Sequence, residues 1–152
     1  MRIRPAAEDD LAELAGIFST SAAYLTERYR PDQVALLPID PDDRLPMYRH
    51  LLATGTVVLA EVEGEPIGFA ASIVRDGVWF LSQLWVLPGH HAGGIGSALL
   101  DEALVSGTGC RAFTVVASPH PAAMTLYMRA SMYPLFTQLD MTGGDAPPDR
   151  PD

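Results

Sequence analysis

Apolar residues near the start of the chain recur at helical spacing. They lie three, four or seven positions apart on one stripe: Leu11, Leu14, Phe18 and Leu25. Asp9 and Asp10 stand just before this stripe, where the positive end of a helix favours negative charge. The pattern therefore predicts a helix that begins near residue 10. A short strand at Arg2–Pro5 precedes it, and a proline-rich loop at residues 31–43 and a shorter helix around residues 45–52 follow.

The pattern changes from helical to strand-like at residue 56. Apolar runs predict strands at Thr56–Val62, residues 67–74 and residues 78–87, with turn-forming residues between them. Asp76-Gly77 is a strong signal for a two-residue hairpin, because Asp and Gly tolerate the backbone that both turn positions need. The third run is long and almost wholly apolar, which is typical of a central strand.

A second kind of unit follows this meander. The pattern predicts a helix at residues 94–106, a buried strand at 112–117, a helix at 121–131 and a last strand at 135–141. The fold class is therefore α+β, with a mixed but mostly antiparallel sheet flanked by about four helices. We expect residues 1–141 to form one domain and residues 142–152, rich in proline, glycine and aspartate, to form a disordered tail.

The composition argues against several classes of function. The formal net charge is −9, and no basic surface is visible that could neutralise nucleic-acid phosphates. No apolar run approaches the ~18 residues of a membrane-spanning helix, and the first residues do not resemble a signal peptide. The single cysteine, Cys110, gives no internal disulfide and no metal-site spacing. We expect a cytoplasmic protein without a metal, whose negative field favours cationic substrates.

The glycine-rich turn after the third predicted strand is the most informative segment. Four glycines fall within residues 89–96, whereas an ordinary strand–helix connection would explain two. Glycine lets successive N–H groups point into one concavity, and the following helix adds the positive end of its dipole. Such a turn can hold a pyrophosphate without a lysine. The dinucleotide-binding pattern belongs near a first strand, and a GxxxxGK[ST] loop is absent, so neither describes this turn.

With this turn in place, the sequence resembles the GNAT family of N-acetyltransferases. The family's motif is an apolar strand ending in Val-x-Pro, then Arg or Gln, two residues, Gly, one residue, and Gly or Ala. This chain has Val86-Leu87-Pro88 and, at residues 91–96, His-Ala-Gly-Gly-Ile-Gly. Residues 2–10 resemble the family's opening strand and helix, and residues 62–69 resemble its second hairpin. The resemblance runs to about residue 136 and implies the acyl-CoA N-acyltransferase fold.

The resemblance implies acetyl-CoA as co-substrate and a small-molecule amine as acceptor, with direct attack in one ternary complex. Leu84 and Val86 match the positions whose backbone pairs with the pantetheine arm, and the Leu84 N–H is suited to stabilise the oxyanion. Tyr127 matches the proton donor to the departing thiolate. The positions that match the family's cofactor site are Leu84, Val86, His91, Ala92, Gly93, Gly94, Ile95, Gly96, Ser97 and His120.

The chain departs from the family's pattern at three positions. His91 replaces the usual Arg or Gln, His120 replaces the usual Asn, and Ser131 replaces the glycine that ends the last helix. The two histidines either donate to the coenzyme or are exposed loop residues. Tyr127 either donates a proton or only packs in the core.

The general base and the acceptor are left open by the sequence. No carboxylate stands in residues 78–86, so Glu61, or water ordered by Ser82 and Gln83, is the alternative acceptor of the amine's proton. The family's last strand is either missing or supplied by a partner subunit in a homodimer. Two functions fit: an N-acetyltransferase, or a catalytically degenerate GNAT-fold protein that binds CoA or a small ligand as a sensor or interaction module. Candidates for the border of the acceptor pocket are Tyr24, Glu27, Arg28 and Tyr29.

Overall fold

The chain folds into one sheet with helices on both of its faces. A computed structural model describes residues 1–30, 34, 39–91, 93–118 and 120–136. The strands are β1 (Arg2–Pro5), β2 (Thr56–Val62), β3 (Glu65–Arg75), β4 (Val78–Val86) and β5 (Ala112–Val115). The α-helices are α1 (Leu11–Tyr29), α2 (Leu45–Thr54), α3 (Ile95–Val105) and α4 (Pro121–Arg129). Short 3₁₀ helices at Glu8–Asp10 and Pro41–Arg44 lead into α1 and α2.

The strands lie in the order β1-β2-β3-β4-β5. The first three pairings are antiparallel, and β4 and β5 pair in parallel across the α3 crossover. Both β2–β3 and β3–β4 are joined by two-residue turns, Glu63-Gly64 and Asp76-Gly77, in which every φ is positive. Asp and Gly tolerate that conformation, which matches the twist of the flanking strands. The predicted α+β class, with its mixed and mostly antiparallel sheet and four flanking α-helices, is confirmed.

Each face of the sheet has its own apolar core. Helices α1 and α2 cover one face, where Leu14 and Leu59 are fully buried. Helices α3 and α4 cover the other, where Trp79 and Leu99 are fully buried. The Trp79 indole N–H donates to the Ala103 carbonyl of α3 at 3.1 Å, so its one polar atom is satisfied inside the core.

One extra residue in β4 changes the phase of its side chains. The register of β3 against β4 skips Ser82, which therefore forms a β-bulge. Before the bulge Trp79 and Leu81 pack toward α3 and α4, and after it Leu84 and Val86 do so. A continuous strand would have turned the second pair to the opposite face. The bulge therefore keeps both ends of β4 in contact with the same helices.

Ion pairs tie the start of the chain to the sheet. The Arg4 guanidinium donates two hydrogen bonds of 2.7 Å to the Asp10 carboxylate and a third of 2.7 Å to Glu61. Hydrogen bonding to Arg4 is the main cause that lowers the pKa of Asp10. Glu61 is thus held in an ion pair on β2, two strands away from β4. This ion pair argues against Glu61 as the general base.

Helix α4 ends in a kind of turn that usually contains glycine. Ser131 has a φ of 62°, the Ser131 N–H donates to Met128 O at 3.1 Å, and the Met132 N–H donates to Tyr127 O at 2.9 Å. This pair of bonds is the Schellman motif, in which the left-handed residue is most often glycine. Serine keeps the turn at a cost of about 1 kcal/mol in backbone strain.

The later elements are shorter than the sequence predicts. The strand predicted at 112–117 ends at Val115, and its middle residues Phe113 and Thr114 are exposed rather than buried. β5 lies at the edge of the described sheet and pairs with β4 over only four residues. Of the predicted last strand, Leu135 and Phe136 are exposed and lie outside any strand, while residues 137–141 and the tail at 142–152 lie outside the described residues.

Helices of the described ranges lack the combination of length and apolarity that crossing a bilayer requires. Across the same ranges, no group of three His, Cys, Asp or Glu side chains is placed to hold a metal ion.

Candidate functional site

The second half of β4 has one unpaired edge. β5 pairs with residues 78–81, and no described strand pairs with the outer edge of residues 82–86. The Leu87 N–H donates to the Ile67 carbonyl of β3 at 2.8 Å. Because backbone groups alternate along a strand, the N–H and C=O of Leu84 and Val86 point away from β3. They face the gap that opens between β4 and β5.

The loop after β4 leaves room in front of its backbone. Gly89 and Gly94 have φ values of 90° and 73°, in the region that favours glycine. A Cβ on Gly94 would meet no atom within 4 Å, so the space beside it is open. Of the predicted cofactor positions in this loop, Ala92 lies outside the described residues.

The N-terminus of α3 is not capped by a side chain. Its first helical bond runs from the Ala98 N–H to Gly94 O at 3.0 Å, and the structure shows no hydrogen bond from the preceding N–H groups to a described residue. Those groups belong to Ile95, Gly96 and Ser97. Free N–H groups combined with the helix dipole favour an anion, and phosphate is the commonest one held in this way.

Helix α4 carries Tyr127 toward the same region. A Cβ on Gly96 would lie 3.6 Å from Leu126 Cδ2, so α4 packs directly on the first turn of α3. Tyr127 is 8% exposed and belongs to the apolar core that Leu84 also contacts. Burial raises the pKa of Tyr127 to about 12. The described residues offer no hydrogen-bond partner to its hydroxyl, which is therefore left to a ligand or to water.

The carbonyl of Val86, on the open edge, accepts two side-chain hydrogen bonds. The His91 Nε2–H donates to it at 2.9 Å, and the Ser21 hydroxyl of α1 donates at 3.2 Å. A carbonyl can only accept, so this bond assigns the His91 proton to Nε2. His91 therefore fixes the start of the loop against the end of β4 and keeps Nδ1 for another partner.

Two tyrosines of α1 connect the predicted histidines to that helix. Tyr24 lies 6.0 Å from His91 between ring centroids, and Tyr29 meets His120 edge-on at 4.9 Å. His120 is the residue just before α4 and is half-buried. Burial first, and then the charges of His91 and Arg28, lower the pKa of His120. The imidazole of His120 is thus mainly neutral at neutral pH.

The structure brings most of the predicted positions to one gap. Its walls are the open edge of β4, the glycine loop with the start of α3, and the start of α4. Sequence reasoning missed Ser21, and it assigned Arg28 to the acceptor pocket without a contact. The available signal was the helical stripe of α1, because Ser21, Tyr24 and Arg28 continue the spacing of Leu14 and Phe18.

The chain belongs to the acetyltransferase (GNAT) family, whose family model matches residues 22–132. That span contains β2 to β5, α3 and α4, and therefore every wall of the gap. No curated protein sequence matches the chain.

Three solved structures illustrate the similarity in fold. An aminoglycoside 6'-N-acetyltransferase from Acinetobacter haemolyticus has a TM-score of 0.63 and 19% identity, covering 97% of this chain and 100% of that one. A predicted acetyltransferase with acetyl-CoA from Clostridium acetobutylicum has a TM-score of 0.69 and 17% identity, covering 93% and 95%. A ribosomal-protein-alanine N-acetyltransferase from Brucella melitensis has a TM-score of 0.67 and 21% identity, covering 86% and 83%. These chains share the fold of the acetyltransferases.

Proposed function

We propose that this protein is an N-acetyltransferase that moves an acetyl group from acetyl-CoA to an amine of a small molecule by direct attack. The observation that carries the proposal is the unpaired half of β4, which leads directly into the uncapped N-terminus of α3. Two neighbours in fold support the chemistry: one was solved with acetyl-CoA, and another is an aminoglycoside N-acetyltransferase.

The residues present fit the coenzyme. Its pantetheine arm carries amide groups, with which the Leu84 C=O and the Val86 N–H can pair as an added strand would. Its pyrophosphate suits the free N–H groups at the start of α3, and the open space beside Gly94 leaves the approach clear.

Leu84 and Tyr127 are the residues we assign to the chemical step. Acetyl-CoA supplies the activated thioester when bound. The Leu84 N–H stabilises the oxygen that becomes negative as the amine adds. Tyr127, with a pKa of about 12, is a weaker acid than an ordinary thiol at ~8.5. Its hydroxyl therefore stabilises the departing sulfur by donating a hydrogen bond, and the thiolate takes its proton from solvent.

The proton of the attacking amine needs a separate route. The described part of β4 contains no carboxylate, and Arg4 holds Glu61. Gln83 accepts a hydrogen bond from the Trp85 indole with its carbonyl oxygen, and a second lone pair and its NH₂ group remain for water. Ser82, at the bulge, and Gln83 are therefore the residues that can order a water molecule to accept the proton.

The acceptor is an amine-bearing small molecule. The net charge of −9 gives the protein a negative field that attracts cationic amines. One observation favours the second candidate function, a GNAT-fold protein that binds CoA without turnover. His91 replaces the usual Arg or Gln, and its Nε2–H is used on Val86 rather than left for a phosphate.

Isothermal titration with acetyl-CoA tests the proposal. We expect micromolar binding by the wild type and none by Gly94→Trp, because an indole would fill the open space in the loop. Gly109→Trp is the matched control, since Gly109 also has a positive φ (86°), also has no atom within 4 Å of a Cβ, and follows the far end of α3. It should bind normally.

Absence of binding by the wild type would contradict the acetyltransferase proposal. A panel of small amines then separates the two candidate functions. Release of free thiol with any of them supports catalysis, whereas tight binding without thiol release across the panel supports the sensor.

A further inference from the structure

Helix α1 runs beside β4 in the same direction and continues past its end. Phe18 packs edge-on against Trp85 with ring centroids 5.0 Å apart, and Ser21 donates to the last carbonyl of β4. One turn later, Tyr24 lies beside His91 in the loop. Successive turns of α1 therefore meet successively later residues of β4 and its loop. The last turn of α1 lies beyond the strand, level with the glycine loop.

That last turn brings an arginine to the two histidines. Arg28 Nε donates to the Tyr29 hydroxyl at 3.2 Å, and its guanidinium carbon lies 5.7 Å from the centre of the Tyr29 ring. The same ring meets His120 at 4.9 Å. Three basic side chains from three different elements thus converge: Arg28 from α1, His91 from the loop and His120 from the start of α4. We call them the basic cluster.

Arg28 carries the permanent charge of the basic cluster, and that charge is not balanced. Within the described ranges, none of its three members forms a salt bridge with a carboxylate. The members of the cluster affect one another: His91 and Arg28 both lower the pKa of His120, although burial is the larger cause. The ten Lys and Arg positions of the chain are all arginines, so no lysine is available to hold a phosphate. A bound anion would balance the charge of Arg28 and would also favour the protonated form of His120.

We propose that Arg28 of the basic cluster binds a phosphate group of coenzyme A, so that the last turn of α1 is a further wall of the phosphate site. The inference rests on the proposed function. The position of the cluster fits a phosphate better than the acetyl end, because the cluster lies past the end of β4 while Leu84 lies within the strand. Arginine suits this task, since its planar guanidinium can donate two parallel hydrogen bonds to phosphate oxygens.

The test compares two ligands and two variants by isothermal titration. S-acetylpantetheine carries the same thioester as acetyl-CoA but no phosphate. We expect Arg28→Gln to weaken acetyl-CoA binding about tenfold, as loss of one charge-assisted contact does, and to leave S-acetylpantetheine binding unchanged. Arg111→Gln makes the same charge change beside Gly77, at the opposite end of β4, and should bind both ligands like the wild type.

Unchanged acetyl-CoA affinity in Arg28→Gln would overturn the inference. Equal weakening of both ligands would overturn it as well, because Arg28 would then act by packing against Tyr29. Inorganic pyrophosphate keeps this test separate from the proposed function. If the wild type binds no acetyl-CoA, the function fails, yet weaker pyrophosphate binding by Arg28→Gln than by Arg111→Gln still supports the anion site. Equal pyrophosphate affinity in the two variants overturns it.

Discussion

The first half of β4 is wholly apolar, whereas the second begins with Ser82 and Gln83, and the two halves also have different surroundings. Residues 78–81 pair with β3 on one side and β5 on the other, and Trp79 and Leu81 are only 0% and 2% exposed. Residues 82–86 pair with β3 and with no other described strand, and all are half-buried. The bulge at Ser82 keeps side chains of both halves on the same helices. The halves therefore differ in backbone pairing, and the candidate site lies where the pairing stops.

The largest effect should come from the paired half. Trp79→Ala removes a fully buried ring together with its hydrogen bond to Ala103, so we expect the free energy of unfolding to fall by about 3–5 kcal/mol. Trp85→Ala, in the open half, should cost less because Trp85 is only half-buried. Urea unfolding measures both changes. Equal losses would contradict the distinction between the halves.

Removing one N–H from the open edge should be the next largest effect, on activity rather than stability. Leu84→Pro lacks the N–H that points away from β3, so pairing with β3 survives while the oxyanion donor is lost. We expect kcat to fall by about 10²–10³-fold. Leu84→Ala keeps the N–H and should lose far less. A comparable loss of kcat in Leu84→Ala would show that the side chain, not the backbone, matters there.

Tyr127→Phe should lower kcat by about 10²-fold without weakening acetyl-CoA binding, because it removes one hydrogen-bond donor and keeps the packing. With a pKa of about 12, the Tyr127 phenol stays protonated up to pH ~11, so its loss of a proton should not reduce kcat between pH 7 and 10. Steady-state rates across that pH range are the measurement. An unchanged kcat in Tyr127→Phe would assign Tyr127 to the core alone.

The smallest effect should be a gain in stability at the end of α4. Ser131→Gly relieves the positive φ of 62°, and we expect the free energy of unfolding to rise by about 1 kcal/mol. Ala130→Gly is the neighbouring control, because Ala130 has a φ of −83° and gains nothing from glycine. Thermal unfolding compares the two variants. A fall in Tm for Ser131→Gly would mean that the serine side chain stabilises the turn.

Local signals allowed most of the fold to be predicted from the sequence. Asp76-Gly77 specifies its own hairpin, and the stripe from Leu11 to Leu25 specifies its own helix, because both patterns act within a few residues. The sequence did not reveal the bulge at Ser82. Apolar residues lie in the strand on both sides of it, so either alternation of inward and outward side chains would fit the pattern. The length of β5 was also hidden, because it depends on where β4 and β5 diverge.

The candidate site was predicted in part for the same reason. The glycine loop and its helix form a local motif, so residues 91–97 could be assigned to it from their own spacing and the resemblance. The place of Arg28 depends on how far α1 extends beyond β4, which only the packing of the whole domain decides. The ion pair of Glu61 was not predicted, because its partner Arg4 is distant in sequence and lies on another strand.

The parallel pairing of β4 with β5 also has a consequence for the order of folding. Two-residue turns join β2 to β3 and β3 to β4, whereas residues 87–111 separate β4 from β5. Closing the longer loop costs more entropy, and β5 can pair with β4 only after α3 has docked on the sheet. We therefore expect β5 and α4 to join a meander that has already formed. One wall of the gap is thus assembled late, by contacts that are few and exposed. A molecule bound in the gap would join the early and late parts of the domain, and its binding free energy would add to the stability of the contact between them.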